Sequence, residues 1–399
     1  MNYPFPTIHN LHDVIPHIAG CDDFIVAEKE GYIVVNYLVA GNDTFPPVEY
    51  AKDPSWAEQE YFKAAIRREC RGIIFDANGM NKILRRPLHK FFNLGERTET
   101  LPDNIDFRKP HIIMDKLDGS MLVPFMLDGE VRWGTKMGLT DVAAPVEVFV
   151  KQHPEYDNYA RKLLSEGYTP IFEWCSPQNK IVLNHKEDNL ILLAVRHMVS
   201  GRYVGLVDDK TNELIPQCGI YHGDKVTDIN AFAARVRTEE DKEGYVIRFH
   251  TGHMIKVKSD WYCNIHKIKE QVNSERSVLA LWLSSGLDDA IVLLDEADRI
   301  RINKFVSDVD YHLTLYSKIL LGFTLHYLSN YSRKDFAISV APNLFPITKS
   351  LIFKMWDMPT DTLKNNTVKS LVLDAVKKSL TNAGNYERMK EQLFNKAIY

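Results

Sequence analysis

Lys116 sits in the run Asp115-Lys116-Leu117-Asp118-Gly119-Ser120. A lysine at a strand end, followed by Asp-Gly in a tight turn, presents its amine into a cleft. Such an amine can act as a nucleophile and form a covalent intermediate. Lys-x-Asp-Gly taken alone fits a solvated turn equally well.

Three downstream features share the same order along the chain. Phe172-Glu173-Trp174 puts one carboxylate inside an apolar strand, or at a strand edge facing water. Glu243-Gly244-Tyr245-Val246 places another acid just before an apolar strand, where an ordinary turn would also fit. Lys256-Val257-Lys258 puts two lysines two apart in a strand, so both point to one face. Two lysines on an exposed sheet face are common. The order and type of the set are more specific than any member.

This chemistry needs a scaffold. Phe24–Val39 reads as a hairpin turning at Glu28-Lys29-Glu30-Gly31, and Arg71–Asp76 as a strand ending at Asn78-Gly79. Strands are expected at His111–Asp115, Met121–Leu127, Val131–Lys136, Thr169–Trp174, Leu190–His197, Tyr203–Val207, Gly244–His250 and His253–Lys258, with Asp128-Gly129 as another turn and a helix over Val146–Glu166. Short turns and clustered strands predict an α+β fold with largely antiparallel sheets. From Ser259 onward helical spacing dominates, over Ile302–Asn330, Leu351–Trp356, Thr367–Leu380 and Tyr386–Phe394. The expected domains are therefore 1–270 and an all-helical 271–399.

The 399 residues, 45% apolar and 26% charged, suit a globular protein of roughly two or three domains. With 49 basic and 53 acidic side chains the formal charge is −4. A polyanion would have to be met by a local basic patch. The five cysteines are scattered without a CxxC, so neither a disulfide framework nor a zinc site is expected, which suits a reducing cytoplasm. Neither a signal peptide nor a membrane span is expected.

The ordered set resembles the covalent nucleotidyltransferase superfamily of ligases and capping enzymes. Within it, the chain is similar to the RNA ligase 1 family of T-even bacteriophages. The further shared pieces are 69–75 (Glu-Cys-Arg-Gly-Ile-Ile-Phe), 86–94 (Arg-Pro-Leu-His-Lys-Phe-Phe-Asn-Leu), 176–183 (Ser-Pro-Gln-Asn-Lys-Ile-Val-Leu) and 256–262 (Lys-Val-Lys-Ser-Asp-Trp-Tyr). The likeness spans roughly Tyr32 to Asp289.

The resemblance implies an ATP-grasp-like nucleotidyltransferase domain and an ATP- and Mg²⁺-dependent RNA ligase. Lys116 would take AMP from ATP, pass it to an RNA 5′-phosphate, and release it when a 3′-hydroxyl attacks. Glu173 would hold the ribose or organise metal. Glu243 and Gly244 would help bind nucleotide and metal, and Lys256 and Lys258 would hold the α-phosphate. Arg71, Lys90, Phe92, Lys136, Tyr37 and Tyr262 match nucleotide-contacting or essential positions. Asp288 matches a metal-binding aspartate, and a surface acidic pair with Asp289 is the alternative. The family further implies tRNA with a broken anticodon loop as substrate, a kinase–phosphatase working beside the ligase, a monomer, and a host-cell cytoplasm if phage-encoded.

A DNA ligase and a capping enzyme are the nearest rivals. Ser120 stands where DNA ligases run toward an arginine. The helical run after Lys258 replaces the OB barrel that both append. A non-catalytic RNA-binding relative is the rival of another class, and the intact motif set disfavours it.

Overall fold

The structure is a computed structural model. It describes every residue except 1, 2, 4, 39, 42, 49–53, 205–213, 222–224, 285 and 394–399, with backbone alone at 54–59 and 61. The chain forms two compact units, Met1–Cys263 and Asn264–Tyr399. The division falls inside the helix Asp260–Gln271, a few residues before the expected boundary near 270.

The described strands of the first unit, in chain order, are β1 (Phe24–Lys29), β2 (Tyr32–Tyr37), β3 (Arg71–Asp76), β4 (Ile83–Arg85), β5 (Phe92–Asn93), β6 (His111–Asp115), β7 (Ser120–Leu127), β8 (Glu130–Gly134), β9 (Tyr168–Cys175), β10 (Asn189–His197), β11 (Ile220–Tyr221), β12 (Gly244–Phe249) and β13 (Met254–Lys258). They make three sheets, ordered β1-β2-β3-β4, β10-β9-β7-β8 and β11-β6-β12-β13-β5. Every pairing is antiparallel except β13 with β5. The fold is α+β, as expected.

Local chemistry explains the turns. Asp128 and Gly129 have φ of +50° and +81°, and Leu127 pairs directly with Glu130. Two positive φ values in a two-residue hairpin suit Asp-Gly. The expected helix over 146–166 is two helices, Ala144–Gln152 and Pro154–Ser165. The break is at Pro154, whose ring disfavours a helical residue before it. Those helices cover the second sheet, where Trp133, Phe172, Trp174 and Leu163 are buried together. Full burial of each such side chain stabilises by about 1.5–3 kcal/mol.

Two described helices of the first unit longer than a single turn escaped the sequence reading. Pro54–Glu69 has a polar composition, and Ile229–Arg237 is short. The second is legible afterwards. Asp228 caps it by accepting from the N–H groups of Asn230 and Ala231. Ile229, Phe232, Ala233 and Val236 make its buried stripe against the third sheet. The expected strand Tyr203–Val207 reduces to a single bridge between Tyr203 and Arg196, and 205–207 lie outside the described residues.

The second unit holds helices and no strand among its described residues. Its longest helix is Glu296–Asn330, capped by Asp295. Val309, Leu313, Tyr316 and Leu320, three and four apart, carry it into a core with Leu351, Val368 and Val372. No described helix is long and apolar enough to cross a membrane.

Candidate active site

Lys116 leaves the end of β6 with its backbone tied down. Its N–H donates to the Gly244 carbonyl at 3.0 Å, and that of Asp115 donates to Gly219 at 2.9 Å. Asp118, two residues on, is almost fully buried. Its Oδ2 accepts from the N–H groups of Val182 (2.8 Å) and Leu183 (2.6 Å), and its Oδ1 from the Tyr262 hydroxyl (2.7 Å). Asn179 donates to Ser120 Oγ at 2.8 Å. The segment 176–183 is thus a strap over the Lys116 loop. A Cβ on Gly119 would lie 2.4 Å from the Trp174 carbonyl oxygen, so only glycine lets the loop pass β9. In Lys-Leu-Asp-Gly, the aspartate anchors, the glycine gives clearance and the lysine projects.

The Lys116 amine faces Glu243. Glu243 Oε1 lies 2.8 Å from Lys116 Nζ and 2.9 Å from Lys258 Nζ. Glu243 is itself buried, so the three groups form a compact charged knot. Gly244 has φ of +137°, and a Cβ there would meet the Val257 carbonyl at 2.1 Å. The close approach that Gly244 permits is therefore to β13, whose alternation puts Lys256 and Lys258 on one face.

A cleft of about 590 Å³ opens beside this knot. Lys116, Lys136, Arg71, Lys256, Lys258, Glu173 and Tyr37 line it. Burial, with the charges of Lys90, Arg71 and Lys116, holds Lys256 down to about 7. Burial lifts the Glu173 carboxyl to about 7, with Lys116 opposing and Glu243 adding. Burial alone would raise Tyr37, but the cations Arg71, Lys90 and Lys136 outweigh it and leave the phenol below its ordinary value.

Three expected residues, Lys90, Phe92 and Tyr262, are not among those lining the cleft. Lys90, depressed chiefly by burial, lies 4.9 Å from the Tyr37 ring centre and 5.3 Å from that of Phe92. Phe92 is buried, with Arg68 and Arg97 also over its ring. Tyr262 is buried and braces Asp118 while its ring carries Lys258 at 5.2 Å. Asp288 lies in the second unit, on the short helix Leu287–Ile291.

Several residues here were given no role in the sequence reading. Asp115 Oδ1 takes Lys242 Nζ at 2.7 Å and the Tyr221 hydroxyl at 2.9 Å. Lys242 directly precedes Glu243, so this tie joins the two ends of the Lys116–Glu243 pair. Arg85 is buried with no carboxylate partner among the described residues and donates to the carbonyls of Gly72, Val123, Gly134 and Thr135. It thereby fastens β3, which bears Arg71, to the end of β8 and the turn that bears Lys136. Glu69 is buried between Arg86 and Arg196, which hold its carboxyl down to about 2 against the effect of burial. An arginine in an apolar strand was the available signal for Arg248, which also lines the cleft.

Comparison with known proteins bears on this arrangement. A sequence model described as RNA ligase matches residues 69–271, just over half of the chain. The chain belongs to the RNA ligase 1 family. The matched span carries the Lys116 loop, Glu173, Glu243 and both β13 lysines. A putative RNA ligase of Thermovibrio ammonificans is 31% identical over 64% of this chain and 69% of its own length. RNA ligase 1 of bacteriophage TS2126 is 25% identical over 58% of this chain and 60% of its own. Among solved structures, an archaeal ATP-dependent RNA ligase is 12% identical, with a TM-score of 0.41 over 74% of this chain and 78% of that one. A Naegleria gruberi RNA ligase is 15% identical, with a TM-score of 0.34 over 40% of this chain. This RNA ligase family member spans about half the length of that Naegleria chain.

Proposed function

We propose that this chain is an ATP-dependent RNA ligase that carries AMP on Lys116. The supporting observation is the shared oxygen of Glu243, which holds Lys116 against Lys258 in the wall of a cleft also lined by Arg71, Lys136 and Lys256. In the first step Lys116 Nζ gives up a proton to solvent and the neutral amine attacks the α-phosphorus. The N–P bond forms as the bond to the pyrophosphate oxygen breaks. Lys256, Lys258, Arg71 and Lys136 balance the charge on the phosphates. AMP then passes to an RNA 5′-phosphate, and attack by a 3′-hydroxyl seals the strand and frees AMP.

Among the described residues no cluster of three or more His, Cys, Asp or Glu could hold a metal. Glu173 and Glu243 are nonetheless close enough to interact electrostatically. One or two carboxylates completed by substrate phosphates suit Mg²⁺. Bound there, the ion would withdraw negative charge from the reacting phosphate. The metal role of Asp288 rests on the resemblance alone.

Intact mass after incubation with ATP and Mg²⁺ tests the reading. The wild type gains one AMP, and Lys116→Ala gains none. An unmodified wild type, or a labelled Lys116→Ala, overturns it. Repair of a broken tRNA anticodon loop, with selection by the helical residues 271–399, is the finer proposal. Full-length protein should then seal a nicked anticodon hairpin faster than an unstructured oligonucleotide. Equal rates would reject it.

A further inference from the structure

Arg248 lies two residues past Val246 on β12, so their side chains share a face, and both line the cleft. The residue is only 7% exposed. Its Nη1 is buried and has no hydrogen-bond partner among the described residues. The ring of Tyr203 lies 5.8 Å from its guanidinium carbon. Buried donors are rarely left unmatched, and a native exception calls for an explanation.

Place along the strand supplies one. Gly244, whose carbonyl takes the Lys116 N–H, is four residues before Arg248. At ~3.3 Å per residue the two lie roughly 13 Å apart along β12. Lys116 and Lys258 lie at the Gly244 end, and Lys256 stands across from Val246. Val246 lies between, and Leu88, Leu193, Ala194 and Met254 add apolar wall. The cleft therefore has a charged end for phosphates, an apolar flank for a flat ring, and one unmatched donor beyond.

We propose that Arg248 donates from Nη1 to a ring-nitrogen acceptor of the nucleotide's purine, making it the residue that reads the base. This rests on Lys116 being the site of nucleotidyl transfer. Arginine offers only donors, so it must face an acceptor and not the exocyclic amine. A buried group that loses its partner rejects the deficient analogue far more strongly than an apolar pocket rejects a missing methylene.

The test measures self-labelling of the full-length protein with ATP and with its 1-deaza, 3-deaza and 7-deaza analogues. Each analogue replaces one ring nitrogen with a C–H that cannot accept. The wild type should lose at least about tenfold in kcat/KM with one analogue. Arg248→Met should use ATP and that analogue alike, and Arg248→Lys should keep part of the preference. Equal use of all four nucleotides by the wild type overturns the assignment, and this arm needs no variant to fold. Discrimination that survives in Arg248→Met also overturns it. A wild type that never labels with ATP instead refutes the reading of Lys116.

Discussion

The Tyr262 hydroxyl donates to Asp118 Oδ1 at 2.7 Å, joining residues 144 apart in sequence. Through it, the start of the helix Asp260–Gln271 braces the loop that carries Lys116. Two backbone N–H groups complete the carboxylate's partners.

Tyr262→Phe removes that donor and little volume. A buried hydrogen bond to a charged group contributes about 1.5–3 kcal/mol, so unfolding free energy should fall by that order. Urea unfolding measures the loss, and self-labelling by ATP should slow as the loop loosens. Wild-type stability and rate in Tyr262→Phe would show that the bond does not hold the loop.

Asp115 should act through position. Its Oδ1 takes Lys242 beside Glu243, and Asp115 itself adjoins Lys116. The three partners Asp115, Tyr221 and Tyr245 raise Lys242 above an ordinary lysine, although burial opposes them. Asp115→Asn keeps the shape and removes the charge. We expect kcat for self-labelling to fall about tenfold, which corresponds to roughly 1.4 kcal/mol of barrier, with KM for ATP unchanged. A raised KM at constant kcat would instead make Asp115 a nucleotide contact.

Lys256 predicts a pH dependence. Its amine titrates near 7 when folded, against 10.5 for an ordinary lysine. Between those values the folded chain binds fewer protons than the unfolded one. This residue's contribution to stability is therefore full above about 10.5 and is lost as pH falls toward and through 7. A triphosphate favours the charged amine, so ATP binding at pH 8 should take up a proton. Calorimetry in buffers of different ionisation heat measures that uptake. Undiminished uptake in Lys256→Met would assign the proton elsewhere.

Local sequence carried the α+β class, most strands and the helical character after Ser259, because alternation and turn chemistry act within a few residues. Asp128-Gly129 is such a case. Polar or short helices such as Pro54–Glu69 and Ile229–Arg237 escaped, since their stability comes from packing on a sheet that the local pattern does not reveal.

For the site, residue type and order alone singled out Lys116, Glu173, Glu243, Lys256 and Lys258 as one set. Alternation along β13 also put the two lysines on one face. Only the tertiary structure decided that one oxygen of Glu243 serves both Lys116 and Lys258. It alone separated Tyr262 and Phe92, which support the wall, from Arg71 and Lys136, which form it. It alone showed Arg248 buried with a donor unmatched. Spacing along a chain specifies neighbours within a strand or turn. Which distant side chain meets a buried charge depends on how the sheets close over it.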